Sequence, residues 1–243
     1  MSKNTAIILV SAFIAIGGGL FIYSRVRAGL DTLCKKPPLD RKAAEQVVKQ
    51  LSDLGYFKYA APEDTDSLTE NLVVSIAEHG MLSSLYFEEP MISKDYRYYS
   101  FDGETLFEEG GFNDALSDMQ DLFRKTGLSL EITNHTETLD PLTNGLNHEL
   151  TVNGKRYLIF KDFQGHGWRE AAQRFAEMIN DQLQIQGKDE RLYLIDAANE
   201  GTAVFLSEKQ FAIIDKLLPD DGSKPLPVDT WAKVFGVSPP ADQ

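Results

Sequence analysis

Between Lys3 and Arg25 the chain runs 21 residues without a charged side chain, "NTAIILVSAFIAIGGGLFIYS". Coiled as an α-helix, that length spans about 30 Å, the thickness of a bilayer's hydrocarbon core. A secretory signal would have a shorter apolar stretch followed by a small-residue cleavage site. Here the nearest candidate, Val26-Arg27-Ala28, sits among arginines. Cys34 follows Leu30-Asp31-Thr32-Leu33, which is no lipidation box. Residues 1–29 therefore read as a retained single-pass anchor, expected in a bacterial inner membrane. Its flanks set the orientation, because basic residues stay preferentially on the cytoplasmic side. Lys3 precedes the span, whereas Arg25, Arg27, Lys35, Lys36, Arg41 and Lys42 follow it. The count favours a cytoplasmic domain, with a periplasmic domain as the alternative. Ser11, Ala15 and Gly19 recur every four residues, a small-residue face through which two such helices would pack as a homodimer.

Residues 30–39 carry Lys35-Lys36 and Pro37-Pro38, a stiff linker that cannot continue the helix. Removing Lys3, Arg25 and Arg27 leaves 21 basic residues against 37 acidic ones in 30–243, a formal charge of −16. Such a surface repels nucleic acid and favours encounter with a basic protein. The single cysteine, Cys34, excludes an internal disulfide.

Residues 40–218 read as one acidic domain, with a subdivision near 140–146 left open, and 219–243 as a Pro-rich tail with a short helix around Trp231. Asp40 is placed to cap a helix reaching about Leu54, with Gly55 as its stop. A second helix is expected from about Thr65 to Gly80, and a strand before the Asp102-Gly103 turn. A third helix is expected over about 113–125, then a half-buried strand in "LSLEIT", Leu128 to Thr133. Asn153-Gly154 lies between two alternating runs, a strong hairpin signal. A long amphipathic helix from Trp168 to about Ile185, a strand pair around Asn199-Glu200-Gly201 and a Ser207-capped helix complete the order. Hairpin-joined strands interspersed with helices predict an α+β fold. It would be an antiparallel sheet with helices packed on it, preceded by one N-terminal transmembrane helix.

No nucleophile elbow, phosphate loop or dinucleotide glycine pattern occurs, so no catalytic residue and no cofactor are assigned. The densest acidic cluster is Asp95, Asp102, Glu104, Glu108 and Glu109. It is taken as the candidate partner-binding surface, or alternatively as the site of a carboxylate- or metal-dependent hydrolase. His79, His135, His148 and His166 lie far apart; His135 and His148 could meet across neighbouring strands. Without a ligand spacing, all four are read as surface or capping residues, and no metal ligand is assigned. Tyr56, Phe57, Tyr59, Tyr86 and Phe87 suit either a core or an interface.

From Phe175 to Ile214 the chain reads as a helix with Asn180 and Leu183, a strand with Tyr193, the turn Asn199-Glu200-Gly201, a second strand, and the cap Leu206-Ser207. This order resembles a loosely defined group of bacterial immunity proteins encoded beside secreted antibacterial toxins, departing from it at Ala197-Ala198, where glycines are expected. The resemblance covers about 40 residues and carries no catalytic residue. It implies a membrane-anchored module that binds a toxin or effector and neutralises it by occlusion. A non-inhibitory membrane assembly component is the third reading.

Overall fold

The computed structural model describes residues 39–84, 93–196, 200–218 and 224–237. The expected anchor, its Ser11-Ala15-Gly19 face, the linker through Pro38, Tyr86, Phe87, Ala197, Ala198 and Asn199 lie outside the described residues, whereas Glu200 and Gly201 of the expected turn belong to a strand. Among the described residues no helix is long and apolar enough to cross a membrane.

The fold is α+β, with two three-stranded antiparallel sheets rather than one. Helix α1 (Arg41–Asp53) starts where Asp40 accepts a hydrogen bond from the Ala43 N–H. Helix α2 (Thr65–Val74) continues through a wider π turn to Gly80. Strand β1 (Tyr98–Asp102) leads into the short helix α3 (Gly103–Phe107), which Asp102 caps through Thr105 N. The expected third helix is two, α4 (Gly111–Asp118) and α5 (Gln120–Thr126), broken at Met119. Its apolar stripe survives the break, because Phe112, Leu116, Met119 and Phe123 are all buried.

The strand expected over 128–133 is displaced along the chain: β2 spans Ile132–Leu139. Ser129 has no strand beside it; its N–H donates to Gln186 Oε1 and its carbonyl accepts from Asn153 Nδ2 and Gln186 Nε2. Side chains thus satisfy the backbone groups that a ladder would otherwise hold. Strands β3 (Leu146–Val152) and β4 (Lys155–Phe163) form the expected hairpin. Asn153 and Gly154 both have positive φ, +50° and +77°, as a two-residue hairpin turn requires.

Helix α6 (Trp168–Ile185) contacts both β4 and β5 (Glu190–Ile195). Strand β6 (Glu200–Ser207) is central in the first sheet, between β1 and β5. Its "AVFL" run is apolar at every position because both faces are covered. Ala203 and Phe205 join α6 and the second sheet in the larger core; Val204 and Leu206 join α1 and α2 in the smaller one. Ser207 and Gln210 close a capping box at α7 (Glu208–Leu217), and α8 (Val228–Val234) buries Trp231.

The second sheet, β2-β3-β4, buries Leu150, Val152, Ile159 and Phe160 in the larger core. Strand β2 is at its edge, and the α3–α4 corner comes against it, since Gly110 N donates to Glu137 of β2.

Candidate functional site

Two features share the junction of the second sheet with the α3–α4 corner. One is a cleft of about 370 Å³ whose walls include Phe107, Leu139, Leu146 and Phe163, with Glu108, Glu109 and Glu137 at its polar side. Phe107 ends α3 and stands edge-on to Phe160 and Phe163, at 5.4 and 5.9 Å between ring centres. Geometry of this kind fixes a ring as well as burying it.

The β2–β3 connection borders the cleft through Leu139, Asn144 and Leu146 and is held by its own hydrogen bonds. Asp140 Oδ1 accepts from Leu142 N at 2.7 Å and Thr143 N at 3.2 Å. Thr143 Oγ1 donates to Asp162 Oδ1 at 2.6 Å, and Asp140 N donates to Gly145 O at 2.9 Å. This pinned loop leaves Leu142 92% exposed, and the adjoining Leu139 is 68% exposed. Leu139 lines the cleft and Leu142 lies on the loop that borders it, and exposed large apolar side chains next to an apolar cleft are a feature of interaction surfaces.

The other feature is the meeting of His135, Glu137 and His148. Glu137 and His148 are register partners across β2 and β3. Ile132 and Glu137 are five residues apart, and strict alternation would put them on opposite faces. A bulge between Thr133 and Thr136, with Asn134 at φ +51°, absorbs the extra residue. His135 and Glu137 then face the same way as Ile132, where all three are half-buried. His135 Nε2 stands 3.2 Å from Glu137 Oε1 and 3.1 Å from His148 Nε2. His148 Nε2 stands 3.2 Å from the same Oε1.

Each member is held from outside the triangle. Glu137 Oε2 accepts from Gly110 N at 2.7 Å, and Gly110 can present that N–H because it takes φ +85°. Asn113 Nδ2 of α4 stands 2.8 Å from His135 Nδ1. Phe112 stands edge-on to the His148 ring, 4.9 Å between centres. Only 3% of His148 is exposed, and burial, with His135 beside it, lowers its pKa to about 4. At neutral pH its ring is therefore uncharged, the form in which imidazole donates a lone pair.

The acidic residues singled out from the sequence do not form one surface. Asp95 is 1% exposed and pairs with the fully buried Arg97, Oδ2 to Nε at 3.1 Å, so it has no face to offer a partner. Burial pushes its carboxyl pKa up, against the pull of Arg97. Asp102 is exposed but serves as the α3 cap, and Glu104 lies in that helix's first turn. Glu108 and Glu109 are exposed at the cleft. These five carboxylates do not converge on a common point; among the described residues the one group with three converging ligand atoms is His135, Glu137 and His148. Tyr56, Phe57 and Tyr59 are core. His148 is buried rather than at the surface, contrary to the expectation for the histidines.

Comparison with protein-family models, with curated proteins and with solved structures finds no match. Glu137, Asn113 and Leu142 were not singled out in the sequence. The spacing His135-x-Glu137 on an alternating strand was the one available signal, since i and i+2 share a face.

Proposed function

We propose that this chain is a single-pass membrane protein whose acidic α+β domain captures a basic protein, and that the partner is a secreted antibacterial toxin neutralised by occlusion. The observation that carries the reading is the cleft with its apolar walls and its acidic side, bordered by the pinned loop that holds Leu142 in water. Burying a leucine side chain against a partner contributes about 1.5–3 kcal/mol, a gain withheld while it stays exposed. Glu108 and Glu109 add the charge that draws a cationic partner and orients it, an effect mainly on association rate. The formal charge of −13 over the whole chain disfavours a second copy or a nucleic acid as the occupant.

The 21-residue uncharged segment supports the anchor, and the basic residues after it support a cytoplasmic domain. A reporter fused after Gln243 and active only in the cytoplasm decides the side. Anchoring concentrates the domain where a membrane-crossing effector arrives.

The test is co-expression with the toxin candidate encoded in the neighbouring reading frame. Wild type is expected to form a complex and restore growth; Leu142→Asp, and separately Glu108→Lys with Glu109→Lys, are expected to weaken both without unfolding the domain. Neither complex nor rescue with wild type would end the immunity reading.

A further inference from the structure

We propose that His135, Glu137 and His148 are the protein ligands of a divalent first-row transition-metal ion. The three donor atoms form a nearly equilateral triangle with sides of 3.1, 3.2 and 3.2 Å. The angle subtended at Glu137 Oε1 by the two nitrogens is therefore about 60°, whereas two N–H donors sharing one carboxylate oxygen separate along its lone pairs to roughly 110–120°. Two N–H groups in this arrangement would also aim their protons at each other, and a single N–H on His135 would leave the His148 Nε2 lone pair facing the carboxylate oxygen at 3.2 Å. A cation above the triangle serves all three acceptors at once.

The size of the triangle suits such an ion. With metal–nitrogen bonds of about 2.05 Å, tetrahedral ligand atoms lie about 3.3 Å apart and neighbouring octahedral ones about 2.9 Å apart. The observed sides fall between these values. Two imidazoles and one carboxylate favour zinc, iron(II), cobalt or manganese over calcium and magnesium, which prefer all-oxygen shells. Three protein ligands leave at least one position for water or an incoming donor.

The surrounding groups match what supports metal ligands elsewhere. Asn113 Nδ2 faces His135 Nδ1 at 2.8 Å; exchanging the amide's nitrogen and oxygen, which are alike in size, would let the oxygen accept the Nδ1–H and leave the Nε2 lone pair for the ion. Gly110 N–H holds the second oxygen of Glu137, and Phe112 fixes the His148 ring. The site stands apart from partner capture except at Glu137, which also lines the cleft.

The experiment uses the full-length chain in detergent, stripped with chelator and titrated with Co²⁺ and with Zn²⁺. Wild type is expected to take up one ion per chain, with visible Co²⁺ absorption, and excess Mg²⁺ or Ca²⁺ is expected not to compete. His135→Ala and Glu137→Gln are expected to lose at least a hundredfold in affinity, and Asn113→Ala about ten- to a hundredfold, as loss of an orienting partner does. His135 is only half-buried, so its variant tests the centre even where the buried His148→Gln fails to fold. The proposal is overturned if wild type holds no ion at about a hundred micromolar Co²⁺ or Zn²⁺, a weak limit for a three-ligand site. It is equally overturned if His135→Ala binds as tightly as wild type. Growth rescue, measured separately, reports on the partner and not on the ion.

Discussion

Asn134, at φ +51°, stands immediately before His135 and is the residue the β2 bulge absorbs so that His135 and Glu137 share the face of Ile132. Asparagine tolerates the left-handed region, glycine prefers it, and a β-branched residue is strained there. Asn134→Val is expected to cost about 1–2 kcal/mol, and Asn134→Gly to change little. Urea denaturation measures both, and equal stability of the Val and Gly variants would falsify this account of the bulge.

Arg97 is fully buried against Asp95, and its guanidinium also donates to the Tyr56 carbonyl and lies over the Tyr56 ring, 4.4 Å from its centre. Arg97→Met leaves a buried carboxylate without its partner, which typically costs about 3–5 kcal/mol. Adding Asp95→Asn should return part of that. The pH dependence follows from the upward shift of Asp95. A carboxyl whose folded pKa lies above its unfolded value carries no ionisation cost below the unfolded value, near 3.8, and the full cost above the folded one. The Arg97→Met variant should therefore regain stability relative to wild type as pH falls from 7 toward that window. A difference between the two proteins that stays constant with pH would show that Asp95 is not the source of the loss.

Gly145 and Leu142 belong to one loop but are expected to respond oppositely. A methyl group at Gly145 would overlap Asp162 Oδ1 and stand 2.8 Å from the Asp162 Cα, which is backbone and cannot swing aside. Gly145→Ala should destabilise by about 1–3 kcal/mol, as overpacking does. Leu142→Ala, at a position 92% exposed, should stay within about 0.5 kcal/mol of wild type. Thermal melting distinguishes them, and a large loss at Leu142 would mean that its side chain packs within the fold.

Much of the architecture was legible because it depends on local chemistry. Asp40 and Ser207 cap helices as their positions suggest, since the hydrogen bonds they accept come from backbone three residues away. Asn153-Gly154 turns the hairpin for the same local reason. The strand misplaced at Leu128–Thr133 shows where that reasoning stops. Its alternation was real, but a strand needs a neighbour, and at Ser129 the side chains of Asn153 and Gln186 take the backbone groups.

The candidate site was less legible. Asp95 and Glu109 look alike as letters in an acidic run, yet one lies beside a buried arginine and the other faces the cleft. His135 and His148 were suggestive as neighbours across strands, but Asn113 reaches His135, and Gly110 reaches Glu137, from a different element.

The sequence by itself determined the long uncharged segment, the acidic balance, the turns and caps, and the α+β class, because these rest on composition, periodicity and contacts a few residues long. Only the tertiary structure decided that there are two sheets, that Asp95 is core and that His135, Glu137 and His148 converge. Those outcomes depend on which strands pair and on a one-residue bulge, which redirects side chains by ångströms without changing the pattern of letters that produced it.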